Sequence, residues 1–218
     1  MKPVFVIGDV HGCIHTLKNL IKQLPKKSDI IFVGDLVDKG LYSKDVVEFI
    51  IENGYKSTMG NHEQLMIENI LKKEKTSWGT LKSFGGEKTL LSYRNDLELL
   101  AKHLKWMNKL PYYIEIENFF ITHGFGLPYY QRRKNLKYKD AIITNRPSKK
   151  THKEDWEVGF HSYSVTNIFG HAVTKKIDTT KNFIGIDTGA VYGKKLSAIE
   201  IPSLRVYEEK TSLEDIVH

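Results

Sequence analysis

Two short apolar runs, Val4-Phe5-Val6-Ile7 and Ile30-Ile31-Phe32-Val33, each close in a Gly-Asp pair, at Gly8-Asp9 and Gly34-Asp35. Runs of this length that end in a turn read as buried strands. Between them, Leu17, Leu20, Ile21 and Leu24 recur at the spacing of one helix face, and Pro25 closes the stripe. A second helix follows from Ser43, placed as its N-cap, through Val46, Val47, Phe49 and Ile50 to a stop at Asn53-Gly54. The chain therefore opens as strand, helix, strand, helix.

A third helix is expected to start at Asn61 or His62 and carry Leu65, Met66, Ile70 and Leu71, and a further one spans residues 96–105. From Pro111 the pattern turns to strands, at residues 112–116 and 119–122 with a hairpin-like link through Glu117-Asn118, then at 167–169, 183–186, 196–201 and 204–207. The order predicts an α/β fold, a mixed layered sandwich whose loops carry the chemistry. The length of 218 residues fits one domain spanning residues 1–218. With 40% hydrophobic residues the chain has ample material for a core, which excludes disorder as its main state. No apolar run approaches the roughly 18 to 20 residues that span a bilayer, and Met1-Lys2-Pro3 leads into a strand without a signal-peptide pattern, so a soluble cytoplasmic protein is expected. The single cysteine, Cys13, can make neither an internal disulfide nor a thiolate cage. Any metal site must draw on His, Asp, Glu or Asn.

The 33 Lys and Arg residues against 26 Asp and Glu give a net charge of +7. The excess is concentrated between Arg132 and Lys153, where nine basic residues face one acid, Asp140. A solvated basic surface would account for this. So would a polyanionic substrate, which the charge favours without identifying it.

Five turns carry the candidate chemistry: Gly8-Asp9-Val10-His11-Gly12, Gly34-Asp35-Leu36-Val37-Asp38-Lys39-Gly40, Gly60-Asn61-His62-Glu63, His123-Gly124 and Gly170-His171. Each places oxygen or nitrogen ligands at a strand end beside glycines that let the backbone bend tightly. Hard divalent ions take carboxylate and amide oxygens, and imidazole suits Mn, Fe and Zn, so the set has the composition of a two-metal phosphoesterase. One such turn is an ordinary loop; five in order are a specific signal.

The stretches GDVHG, GDLVDKG, GNHEQLMI, ITHG, the Asn145-Arg146 pair, IFGH and IDTGAVYG resemble the phosphoprotein phosphatase family of binuclear-metal phosphoesterases, in its compact bacterial and phage branch. The resemblance runs through nearly the whole chain. It implies a four-layer-like mixed β-sandwich flanked by helices, the calcineurin-like metallophosphoesterase fold, and two divalent metal ions, manganese foremost, with iron, zinc or nickel as alternatives. It further implies that Asp9 and His11 bind the first metal, that Asp35 bridges both, and that Asn61, His123 and His171 complete the second site. A hydroxide between the ions would attack phosphorus in line, His62 would protonate the leaving oxygen, and Asp38 would orient His62 and stabilise its imidazolium. Lys39 and Arg146 would bind the phosphate. Lys39 stands where the family carries arginine and Thr144 where it carries tryptophan, and lysine offers a point charge in place of a planar fork. Weaker substrate binding or a shifted preference is the expected consequence.

Other residues have plainer readings. Glu63 reads as a first-turn acid favourable to its helix dipole, and Cys13 as a small buried residue. His15, His103, His152, His161 and His218 read as structural or surface residues. Asp187 and Tyr192 are each open between a structural role and a place in the pocket. Tyr129-Tyr130 beside Arg132-Arg133 is either packing or a stacking platform for a base, and residues 78–86 read as a loop over the site.

The resemblance points first to a phosphoserine/phosphothreonine protein phosphatase acting on phosphorylated proteins or peptides. The alternative keeps the site but cleaves dinucleoside polyphosphates, as diadenosine tetraphosphate hydrolases do; those are expected to be longer than this chain. A non-catalytic nucleic-acid-binding module is the third reading, and the complete ligand set argues against it. Neither membrane nor nucleic-acid partners are expected.

Overall fold

The computed structural model describes residues 3–76, 78, 84–148 and 163–216. Its first sheet contains β1 (Val4–Ile7), β2 (Asp29–Phe32), β3 (Lys56–Ser57), β8 (Lys195–Ile201) and β9 (Val206–Lys210), in the order β3-β2-β1-β8-β9. β1, β2 and β3 run parallel, and β8 and β9 are antiparallel to their neighbours. The second sheet, β4-β5-β6-β7, contains β4 (Tyr113–Ile116), β5 (Phe119–Thr122), β6 (Thr166–Phe169) and β7 (Phe183–Gly185), the last three parallel.

The apolar runs are buried on both faces because side chains alternate along a strand. Val4, Val6, Ile31, Val33, Ile199 and Ile201 point at the second sheet, where they meet Ile121, Ile168 and Ile184. Phe5, Ile7, Ile30 and Phe32 point the other way, into the core formed with the helices α1 (Ile14–Lys22) and α2 (Ser43–Glu52). Leu17, Leu20, Val46, Val47 and Ile50 supply the helical side of that layer. On the outer face of the second sheet Phe120 and Phe169 pack with Phe125 and Leu127. Helix, sheet, sheet and outer layer are thus stacked as the fold class requires.

α3 (Asn61–Ile70) starts where the sequence places it, and α5 (Leu97–Met107) is capped by Asp96, whose carboxylate accepts the Leu99 N–H at 3.0 Å. Three elements were not legible. β3 has two residues and no apolar run, α4 (Gly86–Tyr93) leaves Leu90 and Leu91 exposed, and α6 (Lys139–Thr144) is short. Two expectations need correction. Ser43 does not cap α2: it is the first helical residue, and its hydroxyl accepts the Asp38 N–H at 3.1 Å, so the tertiary bond displaces the local one. The last strand begins at Val206 and not at Leu204, because Leu204 (φ +58°) closes a turn in which its N–H donates to the Glu200 carbonyl at 2.7 Å. Among the described residues no helix is long and apolar enough to cross a membrane.

The parallel strands matter most for function. β1, β2 and β3 lead into the Asp9, Asp35 and Asn61 turns, and β5, β6 and β7 into His123, His171 and Asp187. The carboxyl ends of both parallel sets therefore meet along one edge of the sandwich.

Candidate metal centre

Backbone bonds knit the turns together before any side chain acts. The Val10 and His11 N–H groups both donate to the Asp35 carbonyl (3.1 and 2.9 Å), the Gly12 N–H donates to the Leu36 carbonyl (2.9 Å), and the Gly170 N–H to the His123 carbonyl (2.8 Å). His11, Asp35, Asp38, Lys39 and His171 all sit in the left-handed region, with φ of 45°, 51°, 72°, 65° and 62°. For residues with a Cβ this costs on the order of 1 kcal/mol or more each, so the surrounding bonds must hold them there.

Asp35 lies at the focus. One carboxylate oxygen is 3.2 Å from His123 Nε2 and accepts the His62 N–H at 3.1 Å. The other is 3.4 Å from His11 Nε2 and 3.9 Å from His62 Nε2. His11 Nδ1 donates to the Val37 carbonyl (2.7 Å) and His123 Nδ1 to the Val33 carbonyl (3.0 Å), so both rings turn their Nε2 lone pairs inward. Asn61 Oδ1 is 2.9 Å from both His123 Nε2 and His171 Nδ1. Among the described residues two donor groups have ligand atoms within 4.8 Å of one another, His11-Asp35-His62 and Asp35-His123-His171, and they share Asp35.

Asp9 lines the same cavity and its carboxylate accepts the His171 N–H at 3.1 to 3.2 Å, while His62 joins the tight group around His11. A Cβ at Gly170 would stand 2.0 Å from the Asp9 carboxylate, so only glycine leaves room for it. Burial first, then the charges of Asp187 and Asp35, drive the Asp9 carboxyl well above its usual range. Burial also opposes ionisation of Asp35, but His123, His62 and His11 outweigh it and hold that carboxyl well below the usual range. Burial lowers His11 far below an ordinary imidazole, and burial with His123 beside it lowers His171 to about 3, so both offer neutral rings. Buried carboxylates crowded together, neutral imidazoles and an amide oxygen are a donor set that fits hard or borderline divalent cations. The residues present fit the group that the sequence implies.

Lys39, His62 and Arg146 line this cavity, of about 430 Å³, together with Asp9, Asp35 and Asn61, and the fully buried Asp38 reaches it through its bond to His62. Asp187 and Tyr192 line it too, which resolves both toward the pocket. Lys39 Nζ donates to His11 Nε2 at 2.7 Å and lies 5.7 Å from the centre of the Tyr192 ring. His62 Nδ1 is 2.7 Å from Asp38 Oδ2. Burial lowers the His62 pKa, but Asp35 and the Asp38 hydrogen bond overcome it, so the ring is held above its ordinary value.

Glu63 is more than a dipole acid. It is fully buried, and its carboxylate accepts the N–H groups of Asp35 (2.9 Å), Leu36 (2.7 Å), Val37 (3.2 Å) and Gly60 (3.0 Å), tying the second turn to the third. Burial, with the Asp35 charge beside it, pushes its carboxyl up to about 7. Glu63→Ala strands these buried donors, and a stability loss of about 3 kcal/mol or more in urea unfolding is expected. A loss below about 1 kcal/mol would show that water replaces the carboxylate without penalty.

Elsewhere the plainer readings hold. Tyr130 packs edge-on against Phe120 at 5.1 Å, and Arg133 lies 4.0 Å over Tyr130 while pairing with Glu115 at 2.9 Å. Tyr130 and Arg133 therefore form packing, not an open stacking platform. Burial pushes the Cys13 thiol up, so it is no nucleophile. His103 is buried against the Tyr93 hydroxyl at 2.7 Å. The basic residues from 149 to 153, together with His152, His161, His218 and residues 79–83 of the loop expected at 78–86, lie outside the described residues.

Residues 2–186 match the family model of the calcineurin-like phosphoesterases. The chain is 30% identical to serine/threonine-protein phosphatase 2 of Escherichia coli K12, covering 91% of this chain and 92% of that one. It is 23% identical to the asymmetrical bis(5'-nucleosyl)-tetraphosphatase PrpE of Bacillus cereus, covering 95% and 94%. Near-complete coverage of that relative removes the length distinction expected from the sequence. Among solved structures, a candidate diadenosine tetraphosphatase superposes with a TM-score of 0.75 at 24% identity, covering 97% of this chain and 95% of that one. A protein serine/threonine phosphatase from Saccharomyces cerevisiae superposes at 0.65 with 17% identity, covering 99% and 81%. Both bear on the fold alone.

Proposed function

The chain belongs to the calcineurin-like phosphoesterase family, and from that premise we propose that residues 1–218 act as one domain that hydrolyses phosphoserine and phosphothreonine monoesters in proteins or peptides. Asp9, His11 and Asp35 would hold one divalent ion, and Asp35, Asn61, His123 and His171 a second; manganese comes first among the candidates, with iron, zinc and nickel as alternatives. Such ions supply Lewis acidity and a water acidic enough to be a nucleophile near neutral pH. Arg146 and Lys39, which line the cavity, hold the phosphate against those residues. Arg146 can grip two oxygens at once, whereas Lys39 brings a single mobile charge.

The observation that carries this reading is the His62–Asp38 pair, 2.7 Å apart, in which His62 lines the cavity beside the donor cluster and Asp38 is buried behind it. A serine or threonine alkoxide is a poor leaving group and needs a proton as its bond to phosphorus breaks. His62, raised in pKa and fixed through Nδ1 by Asp38, presents Nε2 to the cavity as the proton donor. A polyphosphate leaving group is stable as an anion and gains much less from such an acid.

A second reading, hydrolysis of an anhydride bond in a dinucleoside tetraphosphate, is supported by the near-full-length match to PrpE and by Phe84 and Tyr192 on the cavity wall, two rings available to a base. Side-by-side kcat/KM values on a phosphopeptide panel and on dinucleoside polyphosphates, after reconstitution with Mn²⁺, decide between the two. Faster phosphopeptide hydrolysis is expected. The reverse order would select the anhydride reading, and no hydrolysis of either would end both.

A further inference from the structure

We infer that Trp78 is a positioning residue for the acid pair, its indole N–H fixing the Asp38 carboxylate in the orientation that aims His62 at the leaving oxygen. The inference rests on the proposed role of that pair. Asp38 is completely buried, and both carboxylate oxygens are engaged. Oδ2 accepts His62 Nδ1–H and Trp78 Nε1–H, each at 2.7 Å, and Oδ1 accepts the Thr89 hydroxyl at 2.7 Å. The Asp38 N–H in turn donates to Thr89 Oγ1 (2.9 Å) and Ser43 Oγ (3.1 Å). His62 sits in α3, Thr89 in α4 and Trp78 between them, so three separate parts of the chain converge on one carboxylate, while Ser43 at the start of α2 holds its backbone N–H.

Two features show that this arrangement is built and not incidental. Trp78 is 3% exposed, and a buried indole N–H finds a partner, but here the partner is the oxygen that His62 also uses. The indole reaches it only because position 86 is glycine: a Cβ there would stand 2.6 Å from indole Cε2. Gly86 opens α4 and Thr89 follows three residues later, so one helical turn both seats the indole and binds the other oxygen. Asp38 itself holds φ at +72°, a backbone state that a non-glycine residue keeps only when its surroundings enforce it.

Because Trp78 acts through Asp38 and His62, its loss should alter leaving-group dependence and leave substrate and metal binding unchanged. A shape-filling role would not do this. Trp78→Phe, keeping the ring but removing the donor, is tested in the Mn²⁺-loaded full chain on a phosphoserine peptide and on p-nitrophenyl phosphate, with metal content measured alongside. The expected result is a fall in kcat of about tenfold on the peptide, the scale of one charge-assisted hydrogen bond, with KM and metal content unchanged and much less effect on the aryl ester. Thr89→Val removes the hydroxyl from Oδ1 with little change of shape and is expected to act in the same direction, which keeps the test open if Trp78→Phe does not fold. Equal loss on both substrates, a loss of bound metal, or no loss would overturn the inference. His62→Asn in the same panel separates the two levels. If it discriminates the substrates and Trp78→Phe does not, the positioning role fails and the acid assignment stands. If it does not discriminate, both fall together.

Discussion

Asp35→Asn is expected to depress occupancy of both divalent ions at once. The carboxylate lies between two groups of donors, one oxygen 3.4 Å from His11 Nε2 and the other 3.2 Å from His123 Nε2, and it is common to both compact ligand sets. Asparagine keeps the shape but removes the negative charge and turns one of the two acceptor oxygens into an NH₂ donor. Losing a supporting partner of a metal ligand typically costs 10- to 100-fold in affinity; loss of a shared anionic ligand should exceed that at each position. Metal content after dialysis against a defined Mn²⁺ concentration measures it, with circular dichroism to show that the fold persists. If one ion leaves and the other is fully retained, Asp35 does not bridge.

His62→Asn has the second large effect, on turnover and not on assembly. Removing a positioned general acid slows reactions by about 10² to 10⁴ when the leaving group needs a proton. That loss is expected on phosphoserine and alkyl phosphates, and a much smaller one on activated aryl phosphates, whose leaving groups depart as anions. The structure sharpens this test, because His62 Nε2 also lies 3.9 Å from Asp35 and within the compact group around His11. Metal content in the variant therefore has to be measured together with the rates. Retained metal with selective loss on alkyl esters supports the acid role; loss of metal with equal slowing on both ester types makes His62 a ligand.

The strands that were legible in the sequence are those buried on both faces, such as Val4–Ile7 and Phe119–Thr122, because hydrophobic runs bounded by turns have few other outcomes. β3 escaped because its pairing with β2, and not its composition, makes it a strand. The candidate ligand turns stand out in the sequence because Asp9, His11, Asp35, Asn61, His123 and His171 each have a glycine beside them, so the demand for tight backbone is written next to the candidate chemistry. The closeness of His62 to His11 and Asp35 was not legible, since it shows only in the distances, with His62 Nε2 3.9 Å from the Asp35 carboxylate. Glu63 and Trp78 were read too plainly for the same reason. Glu63 accepts from Leu36, 27 residues away, and Trp78 donates to Asp38, 40 residues away, and no local pattern announces such pairings.

Anomalous scattering from crystals grown with Mn²⁺ locates the ions relative to Asp35. Two peaks are expected in the cavity, one beside His11 and one among Asn61, His123 and His171, with an Asp35 oxygen on each. A single peak, or two that leave the Asp35 carboxylate untouched, would rule out a pair of ions joined through Asp35.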